Sequence, residues 1–214
     1  FGDGVQAYER GQFANAQRLF ARTASRVPRA ADAWANLGTA AWARGDTAHA
    51  VLGWQRALRL DPLDDDTRDR LAAVQPPVIG APGYVPPLPA DALAVVALAL
   101  WMAAWLGLAV QAVRRTPHLR PVAGGALAVA LVALAAALEL QDRAGVRGLG
   151  VLRGTRALLE SPTPGAPSAA TATAGEVAAV GVREGAWVRV SFGEGRAGWL
   201  PAAAVVTLDA AGVD

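Results

Sequence analysis

Hydrophobic and polar positions follow three different rhythms along this chain. Over residues 1–75, small and aromatic positions recur at helical spacing, and the pattern returns after 34 residues. Gly4 falls on Gly38, Gly11 on Gly45, Ala16 on Ala50, Phe20 on Trp54 and Pro28 on Pro62. From Ala92 to Val113 the chain is almost wholly apolar, broken only by Gln111, and a second apolar run spans Val122 to Leu140. After Gly150 the pattern changes to short alternating runs separated by Gly, Pro and Thr.

The first rhythm predicts stacked helical hairpins. In the second unit, Trp34, Leu37 and Gly38 lie on the first helix and Gly45-Asp46 makes the turn. Ala50, Trp54 and Ala57 lie on the second helix, which Pro62 ends because proline lacks a backbone donor. Gly38 and Ala50 are small where the two helices cross at close range. A third helix is expected from about Asp64 to Gln75, with three aspartates at its N-terminus complementing the helix dipole. These positions resemble the tetratricopeptide (TPR) family. The resemblance implies a short concave protein-binding surface, with Ala35, Asn36, Thr39 and Trp42 facing the groove. The alternatives are that Trp42 packs within the repeat and that Asn36 is merely solvated.

The two apolar runs predict two membrane helices, residues 92–113 and 122–140, since roughly 20 helical residues cross a bilayer core of roughly 30 Å. Trp101 and Trp105 fall on one face, and Gly124 and Gly125 permit close helix packing. Glu139 lies at the end of its run, where the interface hydrates it. The connection, residues 114–121, carries Arg114, Arg115 and Arg120, which places it in the cytoplasm and both termini on the periplasmic side. The first residue is Phe1 rather than Met, and a removed leader is expected. Residues 76–91 form a proline-rich neck, expected as a semi-rigid spacer or, alternatively, a proline-rich recognition motif. Residues 141–149 are a linker and 209–214 a tail.

The third rhythm predicts a small β-barrel over residues 150–208. Val177–Val180, Trp187–Phe192, Arg196–Leu200 and Val205-Val206 read as strands, with a hairpin turn at Gly193-Glu194-Gly195. Residues 161–175, rich in Ser, Thr, Ala and Pro, are expected as a flexible loop. Trp187, Val190, Gly195, Gly198, Trp199 and the turn at Pro201 resemble the bacterial SH3-like family. That resemblance implies either a ligand groove at Trp187, Phe192 and Trp199, or tryptophans that complete the barrel core. Cell-wall peptides and partner proteins are the ligands it suggests.

Composition narrows the chemistry. The chain has 214 residues, is 53% apolar with only 6% aromatic, and carries a net charge of +2. Such a charge is too balanced for a nucleic-acid binder. All 20 basic residues are arginine. Cysteine is absent, which removes disulfides and thiolate sites, and two histidines, His49 and His118, exclude a multi-histidine metal centre within the chain. No nucleophile set, phosphate-binding glycine loop or central carboxylate pair is present, so no catalytic residue, metal or cofactor is expected.

The fold class is thus a multidomain membrane protein: an all-α TPR repeat (1–75), two transmembrane helices and a small all-β SH3-like barrel. This order of modules resembles the BatE-type proteins of bacterial aerotolerance operons. That resemblance implies a non-catalytic binding or assembly subunit of the bacterial inner membrane, working with von Willebrand-factor-A-type membrane proteins and a MoxR-type ATPase. The alternative is a permanent structural subunit of a large photosynthetic or respiratory inner-membrane complex. In either case the partners are the lipid bilayer and other membrane proteins.

Overall fold

The structure, a computed structural model, describes residues 1–87, 90–114, 119–143 and 148–209. Parts of the expected cytoplasmic loop (115–118), linker (144–147) and tail (210–214) lie outside the described residues. The chain divides into two compact units, Phe1–Val85 with Val146–Asp214, and Pro86–Gly145.

The first unit begins with helices α1 (Gly2–Glu9), α2 (Phe13–Arg26), α3 (Ala31–Ala43), α4 (Thr47–Leu60) and α5 (Asp65–Val74), each packed on the next. The 34-residue period is visible in the packing. A Cβ on Gly4 would sit 2.8 Å from the Phe20 ring, and one on Gly38 would sit 2.7 Å from the Trp54 ring. Both glycines are therefore gaps into which the aromatic of the following helix fits. Gly11 and Gly45 adopt positive φ, 73° and 79°, at the two equivalent turns. Asp46 and Asp64 cap α4 and α5, accepting the N–H groups of His49 (3.2 Å) and Thr67 (3.1 Å).

The β part of this unit comprises β1 (Leu149–Leu152), β2 (Arg156–Leu159), β3 (Ser168–Ala172), β4 (Val177–Glu184), β5 (Trp187–Ser191), β6 (Ala197–Pro201) and β7 (Val205–Thr207). They form one antiparallel sheet in the order β3-β2-β6-β5-β4-β1-β7. The β5–β6 hairpin turns at Gly193–Gly195, where Glu194 (φ 62°) and Gly195 (φ 73°) are both left-handed. Three strands differ from the sequence reading: β1, which begins in the expected linker at Leu149, β2, and β3, which lies within the expected loop 161–175. The Ser, Ala and Thr side chains of β3 give little hydrophobic signal. The strand forms because Arg156, Ala157 and Leu158 of β2 pair with Ala172, Thr171 and Ala170, and Ala172 reaches the interior.

Two cores hold the unit together. The inner core of the sheet contains Leu152, Leu158, Ala172, Ala178, Val188, Val190, Phe192 and Leu200. The second core is shared: Val151, Val177, Val206 and Leu208 pack in one cluster with Leu37, Val51, Trp54 and Leu58 of the helices. Adjacent residues of β1 and β4 thus enter different cores, which is why Leu149–Leu152 and Val177–Val180 are apolar throughout instead of alternating with polar positions. Arg56 ties the two halves, its guanidinium 4.2 Å over the Trp34 ring while Nε donates to the Leu208 carbonyl.

The neck also differs from a free spacer over its first ten residues. Gln55 Nε2 donates to the Gly83 carbonyl at 2.8 Å, Arg68 Nη1 donates to the Val85 carbonyl at 3.2 Å, and Val85 is buried in the shared core. Between its prolines the segment makes two turns, closed by Ala81 N–H on the Val78 carbonyl and Tyr84 N–H on the Ala81 carbonyl, and side chains from α4 and α5 satisfy the carbonyls of Gly83 and Val85.

The second unit contains α6 (Ala90–Arg114) and α7 (Leu119–Arg143), packed along each other. Their seam buries Ala97 and Ala104 on one helix and Ala130 and Ala137 on the other, each pair seven residues apart. Small side chains at every second turn bring the two backbones close. The large side chains Val95, Val96, Leu98, Met102, Leu106, Val132 and Leu138 are exposed. Ala92–Gln111 is long and apolar enough to cross a membrane, while the apolar stretch described in α7, Gly124–Glu139, is shorter.

Candidate functional site

The residues expected to face the helical groove sit on α3. Thr39 and Trp42 share one face with Ala35. Trp42 is 49% exposed, with its ring tilted against Trp54 at 5.9 Å. Thr39 Oγ1 donates to the Ala35 carbonyl (3.0 Å) and accepts from Arg70 Nη1 (2.8 Å). Arg70, itself paired with Asp66, belongs to α5 and had no sequence signal, because only the tertiary packing brings it to Thr39. Asn36 Nδ2 donates to the Asp32 carbonyl of its own helix at 2.8 Å, so its side chain is tied locally.

In the β domain, the expected set of Trp187, Phe192 and Trp199 divides. Trp187 lies opposite Pro201 and Trp199 opposite Arg189, which makes the two half-buried tryptophans diagonal neighbours on one face. Phe192 is on the other face, buried with Val188 and Val190. The reason is the strand period of two: positions 188, 190 and 192 share the inner face, whereas Trp187 is an odd number of residues from Phe192. The tryptophans leave the inner core to Phe192 and aliphatic side chains. Arg196 stacks over Phe192 at 5.2 Å and bonds Glu176 Oε2 at 3.2 Å.

In the second unit, Trp101 and Trp105 contact each other at 6.1 Å and face outward, 39% and 55% exposed. Gly124 and Gly125 have open space where a Cβ would stand. The helix seam is made by the four alanines rather than by these residues.

One concave feature of the first unit is a cleft of about 390 Å³, within the range of ligand pockets. α5 supplies Arg68, Leu71, Val74 and the residue after it, Gln75; the neck supplies Pro76, Pro77 and Tyr84; the β domain supplies Glu176, Val177, Phe192, Glu194 and Arg196. Most of these positions have no motif, and they meet only because the neck threads between helices and sheet. Three polar groups in the lining are not fully used. Gln75 Oε1 is buried without a hydrogen-bond partner. Arg68 donates to the carbonyls of Val85 and Pro62 and has no carboxylate partner among the described residues. Glu194, held in the left-handed region, is exposed with no cationic partner among the described residues.

Charged groups elsewhere in this unit are shifted by burial and by their partners. The hydrogen bond from His49 holds the Asp46 carboxyl below its usual range against an opposing effect of burial. Arg59 is pushed down to about 10 by burial: Nη1 donates to the Gln55 carbonyl at 3.0 Å, while Nε and Nη2 are buried and unpartnered. Among the described residues no cluster of three or more His, Cys, Asp or Glu is placed to hold a metal ion.

Comparison with known proteins bears on the β part. Residues 154–206 match the bacterial SH3 domain family. The matched span covers β2 to β6 and most of β7; the SH3-like domain recruits β1 from just before it. No curated protein and no solved structure matches the chain. A match to this family points to an interaction module.

Proposed function

We propose that this chain is a non-catalytic, membrane-anchored protein-binding subunit, whose helical repeat, read as TPR, and SH3-like domain form one binding head. The observation that carries this reading is the core shared between Val151, Val177, Val206 and the helices. Two modules that share a core present their surfaces in fixed register, as a subunit that positions partners requires. The exposed apolar side chains of α6 and α7 supply the anchor, and on this reading both helices cross the bacterial inner membrane with the head on the periplasmic face. The order of modules favours a BatE-type assembly role. The open surface at Gly124 and Gly125 favours the second reading, a permanent structural subunit, since a further helix approaches a backbone most closely at such positions.

The test is a mild-detergent pull-down of the tagged protein from native membranes, followed by mass spectrometry. Variable recovery of von Willebrand-type proteins with a MoxR-type ATPase supports the assembly factor. Fixed stoichiometry with a large respiratory or photosynthetic complex replaces it with the structural subunit. A protein recovered alone sinks both.

A further inference from the structure

The geometry points to the cleft between α5, the neck and the SH3-like domain as a binding site for an extended peptide segment of a partner protein, apolar at its centre, acidic at one end and basic at the other. The inference rests on the protein-binding reading and names the chemistry that one site would take.

The walls define the centre of the ligand. Leu71, Val74, Val177 and Phe192 line the cleft, so an apolar side chain placed there is removed from water on several sides. The buried, unpartnered Gln75 Oε1 defines the next feature. A buried acceptor without a donor costs free energy, and an extended peptide, which presents an N–H at every second residue on one edge, supplies it once the amide turns toward the cleft that Gln75 lines. A purely apolar ligand would leave that oxygen orphaned.

The ends of the ligand follow from charge. The helical wall carries Arg68, which has five N–H donors and uses two of them on the carbonyls of Val85 and Pro62. The remaining donors suit a carboxylate, with the guanidinium already oriented by those two bonds. The sheet wall carries Glu194 at the tip of the β5–β6 turn, in a left-handed conformation that a non-glycine residue seldom adopts. Its carboxylate makes no bond within the described residues and suits a cationic group. The other two charged groups of the lining, Arg196 and Glu176, form a pair closed on itself and on Thr171 and Thr173, so it shapes the wall without demanding a ligand charge. An apolar centre between one cationic and one anionic wall excludes lipid tails and polyanions, and fits a short peptide.

The experiment titrates the full chain in detergent micelles with a fluorescent, end-blocked five-residue peptide carrying lysine first, leucine in the middle and aspartate last. A control peptide replaces the two charges by glutamine and asparagine. Saturable binding is expected for the charged peptide, weakened roughly tenfold by Arg68→Gln, the loss of about one charge-assisted hydrogen bond. Glu194→Gln, at an exposed side chain free of internal bonds, is expected to weaken binding several-fold without disturbing the fold. Neither substitution should alter binding of the uncharged peptide. Arg68→Gln should also lower the recovery of the partner in the pull-down. Absence of saturable binding, or binding indifferent to both substitutions, overturns the inference. The broader reading fails separately, when the unaltered protein recovers no partner at all.

Discussion

The two compact units bury opposite kinds of side chain. In the helical and SH3-like unit, Trp54, Phe20, Leu37 and Leu58 are almost fully buried, and small residues mark where helices cross. In the α6–α7 unit, four alanines are buried while tryptophans, leucines and valines point outward. A chain in water hides its large apolar groups first, because buried area sets the gain. The second unit carries instead the outward apolar surface that the proposed membrane anchor requires, and its helix contact rests on close backbone approach.

That contrast breaks or sharpens with paired substitutions. The largest effect is expected from Trp54→Ala, which empties the shared core and should lower stability to denaturant by about 3–5 kcal/mol. Trp101→Ala, on the outward face of α6, should leave the unfolding midpoint of the first unit unchanged. A large loss from Trp101→Ala would mean that the outward face is a folded-state contact. Next is Gly38→Ala, where a Cβ would stand 2.8 Å from the Ala50 carbonyl and 2.7 Å from the Trp54 ring; a loss of about 1–3 kcal/mol is expected in the same denaturation experiment. Gly124→Ala, with open space around it, should instead raise helix stability by up to about 1 kcal/mol, read from thermal unfolding by circular dichroism.

Two further losses, smaller than those of Trp54→Ala and Gly38→Ala, test how the first unit is joined. Arg56→Ala removes the stacking on Trp34 and the bond to the Leu208 carbonyl. It should cost about 1–2 kcal/mol and increase amide exchange in β1 and β7, before α2 and α3 are affected. The smallest is Asp46→Ala, about 1 kcal/mol for the lost cap of α4. Its sign follows from the lowered pKa. The folded carboxyl releases its proton below the ordinary value of 3.8, so its contribution is present above that pH and is lost as pH falls through the lower folded value. The difference between wild type and variant, measured by denaturation from pH 7 to pH 2, should therefore shrink in acid.

Much of the local structure was legible. The equivalence of Gly4 with Gly38 and of Phe20 with Trp54 became matching glycine gaps filled by aromatic rings. The alternation from Trp187 onward became β5, and Gly193-Glu194-Gly195 its turn. The strand β3 was illegible because Ser168–Ala172 has neither bulk nor alternation and takes its order from pairing with β2. The groove set in the β domain divides between two faces, and the period of two was enough to separate Phe192 from the tryptophans. The cleft was invisible, since Arg68 and Gln75 lie more than a hundred residues from Glu194 and Arg196, with α6 and α7 between them in the sequence.

By itself, the sequence determined much of what depends on near neighbours: helices from their 3.6-residue period, turns at Gly45 and at Gly193–Gly195, the strands β4 to β7, and an apolar span long enough for a bilayer. Tertiary structure alone decided that the helical repeat and the SH3-like domain share a core, that the neck is clamped by Gln55 and Arg68, and that a dipolar cleft opens beside it. Those features depend on which surface each element covers. An apolar residue such as Val151 or Val177 reports only that it will be buried, and the burial gain is almost indifferent to the partner that buries it.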